Sequence, residues 1–331
     1  LVNYDYSNPY QEQVSSLAVE QRVTGAIQYV HLQKSPRIYL LKGHGEADLP
    51  QEVAKQLDTD NYVTQDLNLL TKPIPQDADI LMELAPSYDL TAAEVSKIRE
   101  FLARNGRAIF LPTFQPKELP NFQSLLASYG VTLQPLIVVE SDSSKYAGNP
   151  LFLLPEMADH QILNPLAQNQ MPLMIPQAQS LKMLDIKKRT TTIEPLLTTT
   201  ASAWGKTDFN NTSLDRSPNE PSGPFNLALA ITDKENPEAT TGAKIVVVAN
   251  AAFLSSQFVN QVPGNINFLM NSLNWLEDRG ESLTIQPKSL MSFRLNMNAM
   301  QVLIYSALVV IVIPLIVLGT GVIVWLRRRH L

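Results

Sequence analysis

The residues of this chain best placed to do chemistry are Gly43-His44-Gly45-Glu46, directly after the apolar run Ile38-Tyr39-Leu40-Leu41. An imidazole two residues from a carboxylate is the makings of an acid–base pair, or of a metal ligand with its partner. Position adds weight, because open α/β sheets bind ligands outside the carboxyl ends of their strands. A simpler demand is met by the same four residues. A tight turn leaving a buried strand uses glycine for backbone conformations that other residues avoid. His44 would then hydrogen-bond within the turn, and this structural reading is the preferred one.

Other chemistry finds few residues to work with. The four histidines, His31, His44, His160 and His330, are far apart and form no His-x-x-x-His pair, so no metal site is expected. The chain has no cysteine, which excludes a disulfide framework, a thiol nucleophile and thiolate metal sites. Neither phosphate-binding glycine pattern occurs, and no G-x-S-x-G elbow presents a serine. After the third apolar run stands Pro112-Thr113-Phe114, where Thr113 has no neighbouring base. The run Leu197 to Trp204 could offer hydroxyls and an aromatic face to a ligand, but reads better as an extended strand with one exposed face. Tyr4, Tyr6 and Tyr10 are a candidate partner patch, and Trp275 a core or domain contact. No cofactor and no catalytic activity are expected.

The elements that would position these residues follow an α/β rhythm. Leu17, Val19, Val23, Ala26, Ile27 and Val30 recur at helical spacing, which predicts a helix over 14–30. Ile38–Leu41 is a short buried strand, Val53–Leu57 a helical turn, Tyr62–Leu69 an extended segment and 78–84 a second core strand. Thr91-Ala-Ala-Glu94 is a capping box opening a helix with Val95, Ile98, Phe101 and Leu102 on one face, stopped by Gly106. Ala108–Leu111 is the third strand, 119–129 a helix and 131–139 another strand. Strand, helix and strand in this order specify a parallel sheet covered by helices. Residues 140–225 turn rich in Pro, Ser, Thr, Asn and Gln, and read as a loop-rich β insertion. Strand character resumes at Leu227–Thr232 and Lys244–Ala249. A helix follows at 266–276, with Ile266, Leu269, Leu273 and Leu276 on one face. The expected organisation is an N-terminal linker and helix (1–35), an α/β domain (36–280), a connector (281–300), a membrane helix (301–327) and a tail (328–331).

From Val302 to Leu326 there is no Asp, Glu, Lys or Arg, and 17 of those 25 residues are Leu, Ile or Val. At about 1.5 Å per residue they reach roughly 37 Å, enough to cross a ~30 Å hydrocarbon core with some tilt. Arg327, Arg328 and Arg329 follow at once. Basic flanks stay on the cytoplasmic side, so the tail is expected there and the large domain outside the inner membrane. The net charge is −5 from 26 basic and 31 acidic residues; without the three tail arginines it is 23 − 31 = −8. That balance offers no footprint for nucleic acid, and the expected non-protein partner is the lipid bilayer. The chain opens on Leu1, which is read as processing or as a missing N-terminal part.

Several segments together resemble a known family. Glu20 to Tyr29, Ile38 to Glu46 and Ile74 to Ile80 are similar to the GldG-like auxiliary component of ABC-type transport systems linked to gliding motility. So are Leu196 to Trp204, Gly223 to Ala230, Gly264 to Leu276 and the terminal helix with its basic tail. The resemblance implies a glutamine-amidotransferase-like or flavodoxin-like α/β fold without the amidotransferase nucleophile, whose place Thr113 would take. It also implies an extracytoplasmic (periplasmic) position beside an ABC permease and ATPase. Relatives often carry a Gly-Asp-Ser-Asp-Phe pattern where this chain has Ala249-Asn-Ala-Ala-Phe253, so no carboxylate ligand is expected there. The leading expectation is thus a non-catalytic, membrane-anchored transport subunit. Two alternatives stand beside it: an amidotransferase-like or sugar-processing enzyme using His44, Glu46 and Thr113, and a scaffold subunit of a large membrane assembly.

Overall fold

A computed structural model describes residues 2–5, 13–17, 35–115, 118–234, 241–279, 288–289 and 308–329. The chain divides into two compact units, Val19–Gln286 and a smaller one made of Leu1–Ala18 with Pro287–Leu331.

The larger unit begins with strand β1 (Arg37–Leu41), helix α1 (Gln51–Thr59) and strand β2 (Val63–Leu67). Strand β3 (Ile80–Leu84), helix α2 (Ala92–Ala103) and strand β4 (Arg107–Leu111) follow, then helix α3 (Pro120–Ala127). Strands β5 (Val131–Gln134), β6 (Ser180–Met183), β7 (Thr191–Thr198), β8 (Asn226–Lys234) and β9 (Gly242–Val248) lead to helix α4 (Gly264–Leu276). In the sheet the order is β2-β1-β3-β4-β9-β8-β7. The first five strands of that series pair in parallel, and β8 and β7 continue it antiparallel. This is a flavodoxin-like order, in which the chain leaves β1 on one side for β2 and returns on the other for β3. β3 is buried at every position, as a strand covered by helices on both faces must be.

The capping box at Thr91 forms as the sequence dictates. Glu94 N donates to Thr91 Oγ1, while Thr91 N donates to the Glu94 carboxylate. Other expectations need correction. Residues 131–139 make two short strands, because Pro135 interrupts the ladder; β5 pairs antiparallel with β6, and Ile137–Val139 with Trp204–Lys206. The 140–225 region is not purely an insert either, since β7 and β8 share a long register and enlarge the main sheet. The Leu197–Trp204 run is a strand as far as Thr198 and again from Trp204, with a break between. In the break the hydroxyls fasten a turn: Phe225 N donates to Thr199 Oγ1, and Thr200 Oγ1 donates to the buried Glu140 carboxylate.

Helix α4 departs most from expectation. Its Leu face is buried, but so are Asn265, Asn267, Asn271 and Asn274, whereas Ile266 is half-buried. The asparagines bond the insertion and the sheet. Asn265 accepts from Met174 N and donates to Phe253 O, Asn271 donates to Ile162 O, and Tyr62 donates to Asn274. A buried amide satisfied on both sides fixes two segments at once. Trp275 sits beside His160 with ring centroids 5.6 Å apart, a contact between helix and insertion.

In the smaller unit Gln13–Leu17 is a strand, paired antiparallel with Val2–Asp5 and with Lys288–Ser289. The helix expected from Val14 is therefore absent at 14–17, where Val14 and Leu17 fit either period and strand pairing decides; its remainder lies outside the described residues. Tyr4 belongs to the first strand, while Tyr6 and Tyr10 lie outside the described residues. Among the described residues the terminal helix has a π-turn, Leu308–Val312, followed by α-helix over Ile313–Arg329. Pro314 explains the wide turn, because its ring would strike the carbonyl of residue 310 in a regular helix. Val310–Arg329 has a mean hydropathy of 2.3 and is long and apolar enough to cross a membrane. Leu315, Ile316 and Leu318 are 61, 60 and 66% exposed, surface that lipid would cover. The helix runs on through Arg328 and Arg329, so the tail is helical further than expected; Val302 lies outside the described residues.

Packing around Gly264 gives a direct test. A methyl group there would lie 1.9 Å from Pro172 O, so Gly264→Ala must push the insertion off α4. We expect it to lower unfolding stability by about 3 kcal/mol or more, read by denaturant unfolding of the detergent-solubilised chain; an unchanged midpoint would contradict this packing.

Candidate functional site

The switch point of the parallel sheet, where open α/β sheets bind ligands, lies beyond the ends of β1 and β3, and Gly43–Glu46 stands at the end of β1. Gly43 and Gly45 have φ of +127° and +69°, and this conformation lets the chain double back at once. Gly43 N and His44 N each donate to Glu46 Oε2 at 2.9 Å. The turn is then pinned to the loop after β3, because Ser87 N and Tyr88 N both donate to His44 O at 2.9 Å and Ala47 N donates to Leu84 O. All four residues of the motif come together as one turn.

His44 points inward and is 5% exposed. Its Nδ1 lies 3.4 Å from Glu46 Oε1 and its Nε2 3.1 Å from Glu94 Oε2. The Glu94 oxygen also accepts from Thr91 N and Thr91 Oγ1 at 2.9 and 2.8 Å. Glu94 thus serves both the helix cap and the imidazole. Its other oxygen, Oε1, has no hydrogen-bond partner, and neither has Glu46 Oε1. Asp89, nearby in the loop, accepts from Asn121 N and Phe122 N at 2.9 and 3.0 Å. It supplies the free N–H groups of the first turn of α3 with the anion they favour.

Beneath this set lies Glu83, a residue that the sequence reading passed over as one letter in an apolar strand. It is fully buried, and neither carboxyl oxygen has a hydrogen-bond partner. Burial, reinforced by Glu46, Glu94 and Asp89, pushes its acid up to about 8. Glu83 is therefore a neutral acid at neutral pH. The only advance sign is the charge itself, because a carboxylate in a run of Ile, Leu and Met costs too much to be incidental.

Two features bear on reactivity. Ala85, directly after β3, has a φ of +51°, a left-handed conformation at the tip of a buried strand. Strained turns of that kind present nucleophiles, and here the side chain is a methyl group. Thr113 is half-buried beyond β4, and the His44 ring nitrogens face Glu46 and Glu94 instead of it. His160 is remote from this turn, beside Glu194 and Trp275. Among the described residues no group of three or more His, Cys, Asp or Glu is arranged to hold a metal ion. The stretch after β9 is a 3-10 turn capped by Asn250, which accepts from Ala252 N.

Residues 35–272 match a family model described as an ABC-type uncharacterized transport system. No curated protein matches the sequence. Among solved structures, "mmIFT52 N-terminal domain" is 16% identical, covering 73% of this chain and 97% of its own, with a TM-score of 0.54; what is shared there is the fold. A glutamine amido transferase from Methylobacillus Flagellatus is 12% identical, covering 78% of this chain and 99% of its own, with a TM-score of 0.36.

Glu83 makes stability depend on pH. Its folded acid is raised from an ordinary 4.5 to about 8, so between those values the folded chain keeps a proton that the unfolded chain has released. The stabilisation is full below about pH 4.5 and is lost as pH rises through about 8, on the order of 1 kcal/mol per pH unit. Unfolding of wild type and Glu83→Gln across this window should show the variant gaining relative to wild type as pH rises. A constant difference would mean that Glu83 does not carry the proton.

Proposed function

Given that the chain belongs to the ABC-type uncharacterized transport system family, we propose that it is a membrane-anchored, non-catalytic subunit of such a system. It acts by contact with permease and ATPase subunits, and its α/β domain stands on the extracytoplasmic, periplasmic side. The observation that carries this reading is the family match over residues 35–272, joined in one chain to the apolar helix Val310–Arg329. Arg327, Arg328 and Arg329 at the end of that helix support a cytoplasmic C-terminus. The GldG-like resemblance favours the transport systems associated with gliding motility.

The switch point supports contact over catalysis. An enzyme of this architecture needs its acid–base residue open to substrate. Here His44 is enclosed by its own turn, Glu94 is spent on a helix cap, and the strained residue beside them is Ala85. Gly43, His44, Gly45 and Glu46 accordingly serve as a plug that completes the domain.

Purification from native membranes in mild detergent should bring a permease and an ATP-binding subunit with the chain in fixed ratio. Recovery as a lone monomer under conditions that keep other ABC complexes whole would defeat the proposal. Orientation has its own test, made simple by the lack of cysteine. A cysteine replacing exposed Ser217 should react with an impermeant maleimide in intact cells, and one replacing His330 should not; the opposite pattern would invert the topology.

A further inference from the structure

The turn over the switch point gathers three carboxyl groups, Glu46, Glu83 and Glu94, around one imidazole, and this holds whether or not the transport reading is right. The His44 ring lies between two of them, with Nδ1 3.4 Å from Glu46 Oε1 and Nε2 3.1 Å from Glu94 Oε2. Loss of the Glu83 proton adds a negative charge beside these carboxyl groups in a buried place, where like charges repel strongly. The charged neighbours of Glu83 are Glu46 from the turn, which His44 adjoins, and Asp89 and Glu94 from the loop and first turn of α2. Its partner across the ladder on β4 is apolar Phe110.

Relief has one inexpensive direction. Glu83 belongs to β3, central in the sheet, and Glu94 is tied into its capping box. His44 and Glu46 belong to a surface turn with glycines at 43 and 45, held to the body by the Ser87, Tyr88 and Ala47 amides. Lifting this turn lets water reach Glu83 at the cost of a few exposed hydrogen bonds, far less than unfolding the sheet. We propose that Gly43–Glu46 is a proton-controlled latch on the switch point, shut while Glu83 is a neutral acid and open once it ionises.

Amide hydrogen exchange on the full chain in detergent micelles tests the latch. Peptides covering residues 84–90 report the Ser87 and Tyr88 amides, and peptides covering 243–249 report the sheet. After correction for intrinsic exchange rates, protection over 84–90 should fall at least about tenfold between about pH 6.5 and about pH 9 in wild type, as loss of one linked proton allows. Protection over 243–249 should hold, and Glu83→Gln should keep 84–90 protected throughout. Should Glu83→Gln fail to fold by circular dichroism, Glu83→Leu serves, with the same outcome expected. Equal pH dependence in a folded variant and wild type, flat protection in wild type, or loss over 84–90 and 243–249 in step would each overturn the latch.

Discussion

An open parallel sheet cannot close its own switch point. The chain leaves β1 and β3 toward opposite sides of the strand series, and such a reversal leaves room beyond their ends. Most of what distinguishes this domain follows from how that room is filled. The Gly43–Glu46 turn folds back into it and brings an imidazole to two carboxylates, with the neutral acid Glu83 underneath. Hydrogen bonds to His44 O then fix the loop after β3, that loop carries Asp89, and Asp89 holds the first turn of α3. One polar plug thus sets the positions of two neighbouring segments, the loop after β3 and the first turn of α3.

A second polar device joins the rest of the unit. Helix α4 is buried nearly all round, and its asparagines reach Met174 N, Ile162 O and Phe253 O. Each amide would be expensive to bury alone, and each is bonded to backbone instead. The insertion can therefore be loop-rich without being loosely attached. The close approach of Pro172 to Gly264 belongs to the same joint. A domain sealed at its switch point and braced at its insertion is suited to presenting fixed surfaces to partner subunits.

Much of this was legible in the sequence. The parallel strands, the Thr91 capping box, the Gly43–Glu46 turn and the apolar terminal helix all rest on local patterns that tertiary contacts reinforce. What was not legible depended on pairing across long separations. The Asn side of α4 looks like a solvent face until the insertion is placed on it, and the Thr199 and Thr200 hydroxyls look free until Phe225 and Glu140 arrive. Val14–Leu17 fits helix and strand alike, and its partners at Val2–Asp5 and Lys288–Ser289 settle the choice. Glu83 was visible as a residue but not as a site, because its meaning comes from Glu46 and Glu94, 37 residues before it and 11 after it.

The central claim is that this chain works inside a membrane complex through contact. The most direct measurement places a photoreactive residue at Leu318, which is 66% exposed on the apolar helix, and irradiates native membranes. The account predicts a discrete cross-linked product containing a membrane-spanning subunit of the transport system. Cross-links to lipid alone, with the same probe at neighbouring faces of the helix equally silent, would contradict it.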